Sequence, residues 1–302
     1  MSLIRRKLFE SDLLSIGHVV CRPATASRGE LEQASANVMV LPLAGVFARH
    51  DGPRSTIIAN PSHAMFIGRA RSYRISYPGA IGDDCLTLAF PQAAIASLLG
   101  DAMALEDFNA SCLDSLTLLS PASLLGRSLL KRRLLHGQAG TLEIEELSLS
   151  LLADAVRAAC RDDWRSQRAH QRSTGARRRR QIETVKEAVS VYPEQKWSLS
   201  RLARLANTSP YHLARMFRAE VGAPLHQYLL RTRLARALEA VLDANADLTR
   251  IAHDHGFASH SHFTASFRAL FGFTPTDLRH RSPALRASQL RKILTAAAVA
   301  AP

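Results

Sequence analysis

Four histidines, His253, His255, His260 and His262, form two His-x-His pairs within ten residues of one another. Imidazole nitrogens so placed suggest a metal site. On a helix, however, residues two apart point to different sides, so neither pair makes a good chelate there. Two further histidines, His50 and His63, stand alone and lack the His-x-His…Glu spacing of a metal-binding barrel. The four cysteines, Cys21, Cys85, Cys112 and Cys160, are far apart and form no CxxC pair. None sits in a Pro-Cys-His setting that would suggest an alkyl-accepting nucleophile. They read as reduced thiols, with no disulfide framework. These residues lead to no enzyme, no metal and no cofactor.

What remains is recognition chemistry, and charge locates it. The 302 residues carry 39 Lys/Arg against 26 Asp/Glu, a formal net charge of +13. Residues 1–175 hold 19 basic and 17 acidic residues, whereas residues 176–286 hold 18 and 9. A basic C-terminal part calls for an acidic partner, nucleic acid or an anionic membrane surface. No apolar run approaches the ~20 residues that span a bilayer, and no leader-like segment follows Met1. The expectation is a cytoplasmic protein without a membrane partner.

An internal repeat supplies the elements that would present this charge. The first copy runs from Leu199 to Gly222, the second from Leu248 to Gly272. Leu199, Leu202 and Ala203 match Leu248, Ile251 and Ala252; Leu213, Phe217, Arg218 and Gly222 match Phe263, Phe267, Arg268 and Gly272 one position later, so the second turn has one extra residue. The apolar residues put one buried face on a short helix, and the alanine allows a second helix to cross closely. Asn207 and Gly256 suit a left-handed helix end. Ser209 can cap the next helix, with Pro210 in its first turn. Leu213 with Phe217, and Phe263 with Phe267, return the second helix to the core. This is the helix-turn-helix plan, twice. Between the copies Leu225–Asp243 has no Gly or Pro. Its nineteen residues make a rod of about 28 Å, against about 34–36 Å for one DNA turn. Such a rod would hold two recognition helices in successive major grooves of an asymmetric site.

The second copy resembles the AraC/XylS family of bacterial transcription regulators through Gly256-Phe257, Ser261-His262-Phe263, Phe267-Arg268, Phe271-Gly272, Thr274-Pro275 and Arg279. The resemblance covers roughly residues 180–282. It implies double-stranded DNA as partner, with Tyr211, His212, Ala214, Arg215 and Arg218 presented by the first recognition helix. The second would present His260, Ser261, His262, Thr264 and Arg268. Arg218 and Arg268 would face phosphate; the planar fork of Arg215 suits guanine O6 and N7. Ala214 and Ala265 depart from the longer polar residues frequent in the family. Arg231 and Arg233 lie in a commonly Arg-rich stretch, with DNA contact and packing both open. The resemblance further implies an activator that contacts RNA polymerase, with an architectural DNA-binding protein as the alternative.

Upstream, residues 1–100 read as short strands, Val38–Leu43, Ser55–Ile58, Ala64–Ile67, Tyr73–Ser76 and Cys85–Phe90 among them, bounded by turns such as Asp51-Gly52-Pro53 and Asn60-Pro61. Leu113–Leu119, Ala122–Leu135 and Glu143–Trp164 read as helices. In the last, Leu147, Leu151 and Ala155 with Leu152, Val156 and Ala159 form an apolar stripe that either packs within the chain or pairs two chains into a homodimer. Leu41–Phe47 and Asn60–His63 resemble the cupin-like sensor domains of the same family, which implies a small-molecule effector inside the barrel; a cupin enzyme with an appended DNA-binding domain is the remote alternative. The expected fold class is therefore α+β and multidomain. A β-rich cupin-like domain (1–110) precedes a helical dimerisation or support region (111–168) and a linker (169–180). An all-α domain with two helix-turn-helix units joined by a long helix (181–284) and a disordered tail (285–302) complete it. Arg177–Arg180, at the linker's end, offers two readings: a contact to DNA phosphates or a solvated chain.

Overall fold

The computed structural model describes residues 2–52, 55–91, 93, 115–137, 139–170, 175–243 and 245–281. The tail 285–302, Cys112 and Leu113 lie outside the described residues.

Among the described residues ten antiparallel strands make two sheets. β1 (Ser2–Glu10), β2 (Ser15–Arg22), β9 (Asp83–Phe90), β4 (Asn37–Gly45), β7 (His63–Ile67) and β10 (Leu116–Leu118) form one, in that spatial order; β3 (Glu32–Gln33), β8 (Ser72–Ser76), β5 (Phe47–Gly52) and β6 (Ser55–Ala59) form the other. All five strands read from the sequence fall within these elements. The period of two sorts each strand between two cores. Met39, Leu41 and Leu43 of β4, Ala64 and Phe66 of β7, and Leu86, Leu88 and Phe90 of β9 face the helices. Val40, Met65, Ile67 and Cys85 face the second sheet. Because the large sheet is covered on both faces, its central strands read as nearly continuous apolar runs. The bulge between Pro42 and Ala44 leads into Gly45, whose φ is +78°. A Cβ there would lie 2.0 Å from the Gly82 carbonyl oxygen, so only glycine fits.

The expected helix at Leu113–Leu119 is instead strand β10 over Leu116–Leu118, antiparallel to β7. Its alternation explains the difference: Leu116 packs towards the barrel interior and Leu118 towards the first helix-turn-helix unit, on either side of the buried Thr117. Strand pairing thus satisfies the open edge of β7, and the sheet extends past the expected boundary at residue 110.

Nine helices follow among the described residues: α1 (Pro121–His136), α2 (Thr141–His170), α3 (Gly175–Val191), α4 (Leu199–Leu205), α5 (Pro210–Val221), α6 (Leu225–Leu242), α7 (Leu248–Asp254), α8 (His260–Phe271) and α9 (Pro275–Arg281). Ser120 caps α1 and Gly137 ends it in the left-handed region. The stripe on α2 is buried within the chain: Leu147, Leu151, Leu152, Ala155, Val156 and Ala159 all belong to the core against the large sheet. It therefore offers no free face for pairing two chains. The expected linker 169–180 is also revised, because α3 starts at Gly175 and takes Arg177–Arg180 into its first turns. None of the described helices is long and apolar enough to cross a membrane.

The two halves share a core. Residues of α6 to α9, including Leu234, Leu238, Phe263 and Leu278, are continuous with those of α1, α2 and the sheet. Asn60, fully buried in the turn before β7, donates to Ser190 Oγ at 2.7 Å and to Tyr228 Oη at 2.9 Å. Glu183 accepts from the Ile58 backbone N–H at 2.7 Å, and Lys131 on α1 lies 3.5 Å from Glu239 on α6. The barrel is thus bonded to α3 and α6 directly.

Candidate nucleic-acid interface

Each repeat is built as its residues require. In the first, Ser198 caps α4 and Ser209 caps α5, accepting from the His212 N–H at 3.2 Å. Asn207 takes φ +48° at the turn between them. In the second, Asp247 caps α7, Gly256 takes φ +78°, and Ser259 caps α8, accepting from the His262 N–H at 3.1 Å. A Cβ on Gly256 would meet the Glu194 Cα at 2.6 Å, so this turn is pressed against the segment leading into α4. Ala203 and Ala252 are both buried where the paired helices cross. Leu213, Met216 and Phe217 pack α5 inward. Phe263, Phe267 and Phe271 pack α8 inward as an aromatic ladder, with adjacent ring centroids 5.7 and 4.5 Å apart.

The opposite faces are open. Tyr211, His212, Ala214, Arg215 and Arg218 of α5 are exposed, Tyr211 at 77%. On α8, His260, Ser261, His262, Ala265 and Arg268 are exposed. Thr264 differs: it is half-buried, with a hydroxyl closed off from solvent, so it presents no group to a base edge as it stands. The His262 ring also leans edge-on against Phe257, 5.6 Å between centroids.

Several basic residues serve the fold instead. Arg233 donates to the Pro193 and Gln195 carbonyls at 2.6 and 2.9 Å, tying the segment between α3 and α4 to α6. Arg279 does the same for Val241 and Ala246 at 2.8 and 2.5 Å. Arg236 reaches the Ser190 carbonyl at 3.3 Å. Arg231 is half-buried on α6. Guanidiniums collecting the carbonyls that helix ends leave over explain part of the basic composition without DNA. Sequence reasoning missed two contacts near the first unit. Arg201 stacks over the Trp197 ring at 4.4 Å. Gln181 of α3 donates to the Ala206 and Asn207 carbonyls of the turn at 2.7 and 3.2 Å. The Gln181 contacts join distant elements, so spacing carries no signal for them, whereas Trp197 and Arg201 stand four apart around the N-cap of α4, a spacing open to reading.

The histidines do not converge. His255 is held by the Ile251 carbonyl at 2.9 Å, and burial lowers its pKa. His253 is exposed at the other side of α7, beside Asp254. Among the described residues no group of three His, Cys, Asp or Glu side chains lies where it could hold a metal ion.

A helix-turn-helix domain model matches residues 202–281. Regulatory protein SoxS of Salmonella typhimurium is 31% identical over 100 residues, which cover 33% of this chain and 94% of that protein. The HTH-type transcriptional regulator GlxA of Rhizobium meliloti is 35% identical over 98 residues, covering 32% and 30%. Curated relatives such as GlxA and the transcriptional regulator LumQ of Photobacterium leiognathi are matched over only 30% and 34% of their length. Among solved structures, a DNA-binding transcriptional dual regulator from Escherichia coli K-12 is 29% identical, covering 33% of this chain and 96% of that one, with a TM-score of 0.31. ToxT from Vibrio cholerae is 11% identical, covering 89% and 98%, with a TM-score of 0.33. With the repeat, its capped turns and the nearly full-length match to SoxS together, the chain belongs to the AraC/XylS family of transcription regulators.

Proposed function

We propose that this chain is a sequence-specific DNA-binding transcription regulator that reads its site mainly through α5. The observation carrying this reading is that both recognition helices bury their apolar face and turn a polar one to solvent, with a capped N-terminus at each. A recognition helix enters the major groove with its N-terminal residues at the base edges. On α5 those are Tyr211, His212, Ala214 and Arg215, with Arg218 at phosphate. On α8 they are His260, Ser261 and His262, with Arg268 at phosphate; Ala265 and the withdrawn Thr264 leave this unit fewer base-reading groups, so it positions more than it specifies.

The space between the two sheets takes a small-molecule effector, and the sign of regulation is activation through RNA polymerase. The match to the urease operon transcriptional activator of Escherichia coli, 29% identical over 100 residues, favours that sign. The relatives are named as regulators, and the chain works without catalysis. If two chains associate, they do so through a surface other than the buried α2 stripe.

Arg215→Ala tests the base-reading role. Affinity for the selected site should fall by about 1–3 kcal/mol, the range for one bidentate base contact, while binding to mixed-sequence DNA stays nearly unchanged. An equal loss on both would remove Arg215 as a base reader.

A further inference from the structure

The arginines at the start of α3 stand at a costly position. Arg177 to Arg180 occupy the first turns of the helix, with no acidic residue there. The helix dipole disfavours cations in the first turn. The placement of α3 supplies a reason. Gln181 sits on the Ala206 and Asn207 carbonyls, the turn that leads into α5. Arg178, half-buried, reaches the Met216 carbonyl at 3.4 Å and Glu220 at 3.5 Å, bracing the helix against the inner side of α5. Residues 177, 180, 181 and 184 share one helical stripe by their spacing of three and four. Arg177 and Arg180, both exposed, lie on the stripe that carries Gln181 to that turn, with Arg178 between them against the last turns of α5.

We propose that Arg177 and Arg180 are phosphate contacts, forming with Arg218 a basic rim around the groove that α5 enters. The inference rests on the DNA-binding reading above and adds a third helix to the interface. Charge distribution supports the partner: residues 175–224 carry 10 Lys/Arg against 4 Asp/Glu, whereas residues 245–281 carry 4 against 3. The first unit, with α3 attached, is thus the electrostatic anchor, and the second unit contributes little to it.

The test uses the full chain and a mixed-sequence duplex of about 40 base pairs, roughly four helical turns. Affinity is measured from about 50 to 200 mM KCl. Each lost phosphate contact lowers the slope of log K against log[KCl] by about 0.9, so Arg177→Gln with Arg180→Gln should flatten it by about 1.8. The paired Lys variant should keep the wild-type slope, and removing Arg6 and Arg28, two exposed arginines of the barrel half, should leave it unaltered. The Gln variant should melt no lower than wild type, since it relieves the dipole. A Gln variant with the wild-type slope, or one matched by the Arg6/Arg28 control, overturns the inference. A wild-type chain that ignores the duplex at every salt overturns the DNA-binding reading instead.

Discussion

At the scale of residues, the basic side chains of the C-terminal half divide into two populations that composition cannot separate. Arg233, Arg236 and Arg279 close helix ends, whereas Arg177, Arg180, Arg215, Arg218 and Arg268 are exposed. Sequence spacing placed Arg215 and Arg218 on the outer face because Leu213 and Phe217 fix the inner one. It could not show that Thr264 turns its hydroxyl away, since that depends on how α8 seats against the rest of the chain. Buried polar residues make sharper predictions. Asn60→Ala would leave the buried Ser190 and Tyr228 hydroxyls without their donor. A group so stranded costs about 1–3 kcal/mol, readable as a lower urea midpoint with unchanged m-value. Next to it, His63 is almost wholly buried, and burial with Lys186 and Arg231 nearby holds its pKa well below the ordinary value. The unfolded chain therefore binds a proton at a higher pH than the folded one. Stability from this group is complete above about pH 6.5 and is lost as pH falls below it. Asp83, whose carboxyl burial raises to about 6, acts in the opposite sense. Comparing wild type with His63→Gln cancels the Asp83 contribution; equal acid sensitivity in both would contradict the assignment to His63.

At the scale of elements, the repeat was legible almost residue by residue. Its signals Asn207, Ser209 and Gly256 act within one turn of the chain and act as read: a cap at Ser209, and positive φ at Asn207 and Gly256; Gly222 and Gly272, read only as matching positions, end α5 and α8 in the same left-handed region. Gly256 tests this. Gly256→Ala combines φ +78° with a backbone clash at Glu194, so the destabilisation should exceed the ~1 kcal/mol of an ordinary Gly substitution, seen as a lowered thermal midpoint. A neutral result would mean that the turn does not press on the Glu194 segment. The elements that were not legible depend on distant partners. β10 reads as helix until the open edge of β7 is known, and the strands β1, β2, β3 and β5 carry polar or charged residues at one or both faces. The α2 stripe was legible as a stripe, but its partner, the large sheet of the same chain, was not.

At the scale of the whole molecule, charge suggested a neutral sensor joined by a linker to a basic reader. The structure instead shows a shared core and a buried polar seam at Asn60, Ser190 and Tyr228. Net charge reports on solvent and partners, whereas the seam is built from a few uncharged residues far apart in sequence. The proposed reader is accordingly held in place by the barrel through α3 and α6, and α6 is the rod between its two units. Leu225–Leu242 spans 18 residues, about 27 Å, within reach of adjacent major grooves on one face of a duplex. The measurement that tests this account most directly is selection of duplexes from a random library by the full chain, followed by sequencing. The account predicts one asymmetric motif with two blocks about one helical turn apart, the stronger block being lost with Arg215→Ala. No enrichment over the starting library, or a stronger block that survives Arg215→Ala, would contradict it.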